Sequence, residues 1–231
     1  MLNDTPKKKK APKPDTKWRR FRRIQKVCLY RAVTPCMMYL FMSLIALALQ
    51  ALADGTQVYE IVLGSVCIAG GAAFNAHLAF SYGKMHFDSY LTGCLHRQNM
   101  RMGILSGGDH RPEHEYRPWK GFLIGFYVGL PVLIFGTLAI FQPTWDWAEL
   151  VLDMVAAWAI LPIQWYRGAV FPGEQNWDYP PVSGGWSLLF ILLPVIVTGA
   201  FYILGAYVEK RRKEDESRRT EEINAVKGKR K

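Results

Sequence analysis

Five histidines, His77, His86, His96, His110 and His114, are the side chains of this sequence best suited to proton transfer or metal binding. His110 and His114 stand four apart with Glu113 and Glu115 alongside, and on a helix that spacing puts both imidazoles on one face, where they could hold a metal. Pro112 between them and Gly107, Gly108 and Asp109 before them work against a regular helix. His86 and Asp88 are two apart and would point to different sides of a helix. No run matches HExxH, a Walker A loop, a Rossmann glycine set or GxSxG, so neither an ATPase nor a dinucleotide enzyme is indicated. Cys28, Cys36, Cys67 and Cys94 form no CxxC pair, and three of them lie in or beside apolar runs. They read as small packing residues rather than as a disulfide framework or a zinc knuckle. No catalytic residue, metal ligand or cofactor is assigned.

The elements that would position these residues are long and apolar. Charges crowd into the two ends and one loop, and only six basic residues lie between Arg31 and Arg167. A helix needs about 20 apolar residues to cross the hydrocarbon core. Spans are expected near 33–53, 58–82, 119–141 and 187–208. The predicted class is an all-α polytopic integral membrane protein with four transmembrane helices, five being possible. A basic arm over 1–31 precedes a transmembrane domain over 32–209, and a charged tail over 210–231 follows. In the arm, Trp18, Phe21, Ile24 and Cys28 recur at helical spacing among Arg and Lys, the pattern of a helix lying on an anionic leaflet or of a plain topological anchor. Asp54 to Gln57 is a polar turn. Pro131 and Pro194 are expected to kink or interrupt their helices.

Two features inside the spans carry polar or packing information. Asn75 and His77 sit in an otherwise apolar run, either as interhelical hydrogen-bonding groups or as the lining of a solute or proton route. Gly121, Gly125 and Gly129 form a bare ridge on one helix face, suited to close helix contact within the chain or with a second copy.

The loop over 83–118 is expected to hold an amphipathic helix from about Met85 to Met102, lying along the cytoplasmic surface. Its apolar side carries Phe87, Tyr90, Leu91 and Cys94, with Leu95 continuing it. Arg97 and Arg101 form a basic rim. This is the predicted docking surface. The segment 148–166 is long enough to span, yet it contains Asp153 and Pro162, begins beside Asp146 and Glu149, and carries several Trp. It is expected to be an extracytoplasmic interfacial or re-entrant helix.

Residues 1–31 hold twelve basic and two acidic residues and belong on the cytoplasmic side, as does the 83–118 loop. With four crossings both termini are cytoplasmic, and the acidic 142–186 region lies outside. A net charge of +10 would suggest nucleic acid in a soluble chain. Here the basic residues flank apolar spans, so anionic membrane lipid is the expected partner and nucleic acid is not.

The general architecture resembles that of small multi-span subunits of transport and secretion complexes. The expected function is a non-catalytic cell-membrane subunit that docks a protein partner or forms a homo-oligomer. The first alternative is an oligomeric small-solute transporter using Asn75 and His77. The second is a metal-assisted membrane enzyme using His86, Asp88, His96, His110 and His114.

Overall fold

In a computed structural model, the structure describes residues 16–52, 57–94, 97, 116–141, 147, 151–152, 154–156, 158 and 191–228. Lys17–Leu52 is one helix, α1. It contains no glycine and is rich in Leu, Ala, Met and Arg, all good helix formers. Pro35 lies inside it and is buried. From Lys17 on, the basic arm and the first apolar run are thus not separate elements. The helix expected to lie along the leaflet is instead the first turns of α1, because nothing between Cys28 and Val33 breaks the backbone.

The second helix, α2, runs over Gln57–Thr92. It was expected to stop at Tyr82, before a separate surface helix. Residues 85–92 are instead its last two turns, and Gly83 passes through without a break. The end comes at Gly93, which takes the left-handed conformation at φ 61°. The Arg97 guanidinium donates to the Thr92 carbonyl at 2.7 Å, satisfying one of the carbonyls left open at the helix terminus. Beyond Cys94 only Arg97 of the predicted amphipathic helix is described.

Trp119–Phe141 forms α3 and Leu192–Gly228 forms α4. Pro131 lies inside α3. Pro194 is the third residue of α4, where a missing N–H costs no intrahelical bond, so it opens this helix rather than interrupting it. The charged tail prolongs α4 without a break as far as Gly228.

Among the described residues, three helices are long and apolar enough to cross a membrane, over Phe21–Ala48, Trp119–Leu138 and Leu192–Val226. The chain is an all-α, multi-pass integral membrane protein. The number falls short of the four or five expected. α2, whose apolar run also carries Gly64, Gly70, Gly71, Asn75 and His77, is not among the three found over the described residues.

Named contacts fix the helix directions. Arg31 lies over the Tyr82 ring, while Tyr39 and Met42 meet Gly71 and Gly70, so α1 and α2 are antiparallel. Asn75 meets Thr198, Phe80 meets Gly205 and Asp88 meets Lys213, so α2 and α4 are parallel. Gly121, Gly125 and Gly129 face Tyr202, Pro194 with Val195, and Ile191 in turn, so α3 and α4 are antiparallel. The result alternates direction from helix to helix. The starts of α1 and α3 and the end of α2 share one end of the bundle, from which α4 projects. Arg31, Lys84, Lys120 and Arg211 gather at that basic end.

The described residues of 147–158 pack into the other end. Leu152 and Ala156 are buried with Val132, and Phe135 packs against them. Ser43 on α1 donates to the Val155 carbonyl at 3.0 Å and accepts from the Trp158 backbone N–H at 3.2 Å. The Trp158 ring lies 4.5 Å from that of Tyr39. These described residues therefore sit between α1 and α3 rather than across their ends.

Candidate functional site at the basic end of the bundle

Two buried polar clusters tie the helices together. Midway along the bundle, the Asn75 side-chain amide donates to the Thr198 hydroxyl at 2.9 Å and to the Tyr39 hydroxyl at 3.3 Å. Thr198 returns a bond to the Asn75 carbonyl oxygen at 3.1 Å. Both Asn75 amide hydrogens and its carbonyl are thereby used, linking α1, α2 and α4. His77, two residues on, faces outward from the same helix. The structure does not bring Asn75 and His77 together.

The second cluster lies at the basic end. His86 Nδ1 and the Tyr202 hydroxyl share a hydrogen bond of 2.8 Å, and both residues are buried. Tyr116 stacks on Tyr202, and Phe87 meets Tyr116 edge-on. Lys120 is buried close by, and Arg31 adds a second positive charge. Burial, with Lys120 and Arg31 secondary, pushes the His86 imidazole down to about 3. It is neutral at physiological pH, and in the tautomer protonated at Nε2 its Nδ1 accepts the Tyr202 proton. Burial also raises the Tyr116 phenol.

Glycine makes this cluster possible. A Cβ on Gly83 would stand 2.0 Å from the Tyr202 carbonyl oxygen, and one on Gly121 would stand 2.6 Å from the Tyr202 Cβ. Only hydrogen at these two positions lets α2 and α3 close around Tyr202. The three ridge glycines of α3 all pack against α4 or the residue preceding it, within the chain.

Of the predicted docking surface, Phe87 and Tyr90 are half-buried and pack on each other, with Phe87 also on Tyr116. Leu91, Cys94 and Arg97 are exposed. Arg101, His96, His110 and His114 lie outside the described residues. Among the described residues, no three His, Cys, Asp or Glu side chains gather as metal ligands would. His86 and Asp88 diverge: Asp88 pairs with Lys213 at 3.3 Å, while His86 faces Tyr202.

Reading the sequence missed Tyr39, Thr198, Tyr202 and Ser43. Thr198 and Ser43 carried a usable signal, since each is a small hydroxyl side chain flanked on both sides by apolar residues. The tyrosines carried none, because Tyr is common at membrane boundaries for other reasons.

No protein-family model matches the chain, and neither a curated protein nor a solved structure matches it. The arrangement itself is that of a joint. The His86–Tyr202 pair is buried among its own helices, and the Asn75 amide has both hydrogens and one carbonyl lone pair engaged within the bundle.

Proposed function

We propose that this chain is a non-catalytic membrane subunit that holds a protein partner at the basic face of the bilayer. One observation carries the reading. α4 leaves the bundle after the Lys213–Asp88 contact and continues as an exposed, charged helix to Gly228, about 22 Å further. Lys210 and Arg212 pair with Glu214 and Glu216 one turn on, which supports a helix in water. Near its tip Ile223 and Val226 are exposed three residues apart, on one face. A rigid charged arm ending in an apolar pair suits capture of a protein surface, and Leu91, Cys94 and Arg97 lie exposed at the end of α2.

The finer topology belongs to the same proposal: α2 crosses as well, giving four crossings with both termini cytoplasmic. α1 and α3 start from the same end, so the chain must return between them, and α2 runs back along α1. The distances support it. Arg31 to Leu52, Tyr82 to Gln57 and Trp119 to Phe141 each cover about 31 to 38 Å, against a hydrocarbon core of about 30 Å. Arg31 over Tyr82, Lys84 over Phe80 and Arg211 over Tyr207 form a basic aromatic collar of the kind that meets an anionic inner leaflet.

Purification of the full chain from its native membrane in mild detergent tests the function. A stoichiometric protein partner is expected, and it should be lost from an Ile223→Glu, Val226→Glu double variant whose bundle melts as the wild type does. Recovery of the chain alone in every mild detergent would count against the reading. The transporter alternative has less in its favour, since Asn75 already bonds Tyr39 and Thr198 and His77 faces away from it.

A further inference from the structure

A crevice of about 120 Å³ lies between α1, α3, the start of α4 and the 147–158 segment. Leu40, Val128, Val132, Val155 and the Trp158 ring form its walls, and Met37 edges its mouth. Gly129 contributes no side chain, and Pro131 and Pro194 offer no backbone N–H. The Tyr39 ring contributes to the wall while its hydroxyl accepts from Asn75.

Water is a poor occupant, because it needs two to four polar partners and this lining is almost wholly carbon and sulfur. An apolar cavity of about 150 Å³ in another protein stays dry and accepts benzene, so about 120 Å³ has room for a few methylene groups. Left empty, it would forfeit dispersion contacts along every wall.

What lies outside the mouth identifies the occupant. Met37 is 57% exposed, and Val33, Phe41 and Leu44 continue the exposed apolar face of α1 on either side. That face belongs to a helix apolar enough to span, so its surroundings are hydrocarbon. Cys36 to Leu40 lie about 8 to 14 Å along α1 from Arg31, near the middle of a core about 30 Å thick. We infer that this crevice is a binding site for the distal half of a phospholipid acyl chain, which enters beside Met37 and ends against Trp158.

Full-length protein in phospholipid nanodiscs tests this with a photoactivatable diazirine placed either in the terminal third of the acyl chain or next to its carbonyl. After irradiation, mass spectrometry maps the adducts. The terminal probe should label Val128, Val132 and Val155 as well as the exposed Phe41 and Leu44. The carbonyl-proximal probe should leave the three valines unlabelled. Leu40→Trp and Val155→Phe each fill the space, and each should lower labelling of Val128 and Val132 at least fivefold while Phe41 and Leu44 are unaffected. Terminal-probe adducts confined to Phe41 and Leu44 in the wild type would overturn the proposal. So would valine labelling that persists in either filled variant. The wild-type pattern decides the question even if one variant fails to fold.

Discussion

Asn75 is worth more than either of its partners because it spends three hydrogen-bonding positions at once. Interhelical hydrogen bonds in membranes average about 0.6 kcal/mol each and reach about 1.7. Asn75→Leu should therefore destabilise the bundle by about 1 to 2 kcal/mol, leaving the Thr198 hydroxyl without that partner. Tyr39→Phe removes only the longer bond at 3.3 Å and should cost about half a kcal/mol. Unfolding of each variant in mixed micelles gives the order, and equal losses would show that the hub does not act as described. His86 supplies a prediction with a sign. Its imidazole sits at about 3 in the folded chain and near 6.5 when unfolded. Between those values only the unfolded chain takes up the proton. The contribution of a neutral His86 is complete above about pH 6.5, and it is lost as pH falls toward 3 by about 1.4 kcal/mol per unit. Carboxylates titrate in the same range, so the informative quantity is wild type minus His86→Gln. That difference should shrink steadily from pH 6.5 to pH 4, and a difference independent of pH would refute the assignment.

Helix α2 owes its course to glycine. Gly83 faces the Tyr202 backbone and Gly205 faces the Phe80 backbone, with an added Cβ falling 2.0 and 2.1 Å from those carbonyl oxygens. A main chain cannot swing aside as a side chain can. Gly83→Leu or Gly205→Leu must push α2 and α4 apart, at about 3 kcal/mol or more, since overpacking alone costs about 1 to 3. Gly70→Ala is the control: its Cβ would stop 3.5 Å from the end of the flexible Met42 side chain, an ordinary contact. Thermal melting should separate the Gly83 and Gly205 variants from Gly70→Ala by many degrees. At the far end of α2, Leu91 is half-exposed. Leu91→Asp should leave melting within about 0.5 kcal/mol of wild type, as surface changes usually do. If the end of α2 belongs to the docking face, the same variant should lose its partner. Lost partner binding without lost stability is the expected pattern, and the reverse would mean Leu91 serves the bundle alone.

The bundle as a whole divides its length between two fillings. The face of α3 toward its start packs on α4, through Gly121, Gly125 and Gly129. Toward its end, the partners of Val132 and Phe135 are Leu152 and Ala156. Where the two fillings meet lies the apolar crevice. The four crossings proposed above predict a membrane orientation that can be read by labelling. A membrane-impermeant maleimide should reach native Cys94 and an introduced Ser217→Cys from the same side, and Thr56→Cys from the opposite side. Cys94 and Ser217→Cys answering from opposite sides would exclude four crossings.

By itself the sequence determined which stretches are helical and apolar, because a long run without charge has few alternatives in a bilayer and every backbone group must be bonded within it. It also singled out the spacing of Gly121, Gly125 and Gly129, since four-residue steps place them on one face whatever they meet. It could not determine where helices end. Gly83 looks like a stop and is a contact, and the same residue type at Gly93 is a stop, because only the neighbour at Gly83 and the φ at Gly93 distinguish them. Nor could it pair Asn75 with Thr198 and Tyr39, or His86 with Tyr202. These partners are between 36 and 123 residues apart, and a polar side chain in an apolar run declares a need for a partner without naming one. Tertiary structure alone decided those pairings. The closest helix approaches occur where glycines remove the side chains between backbones, and they set which polar groups fall within hydrogen-bonding reach.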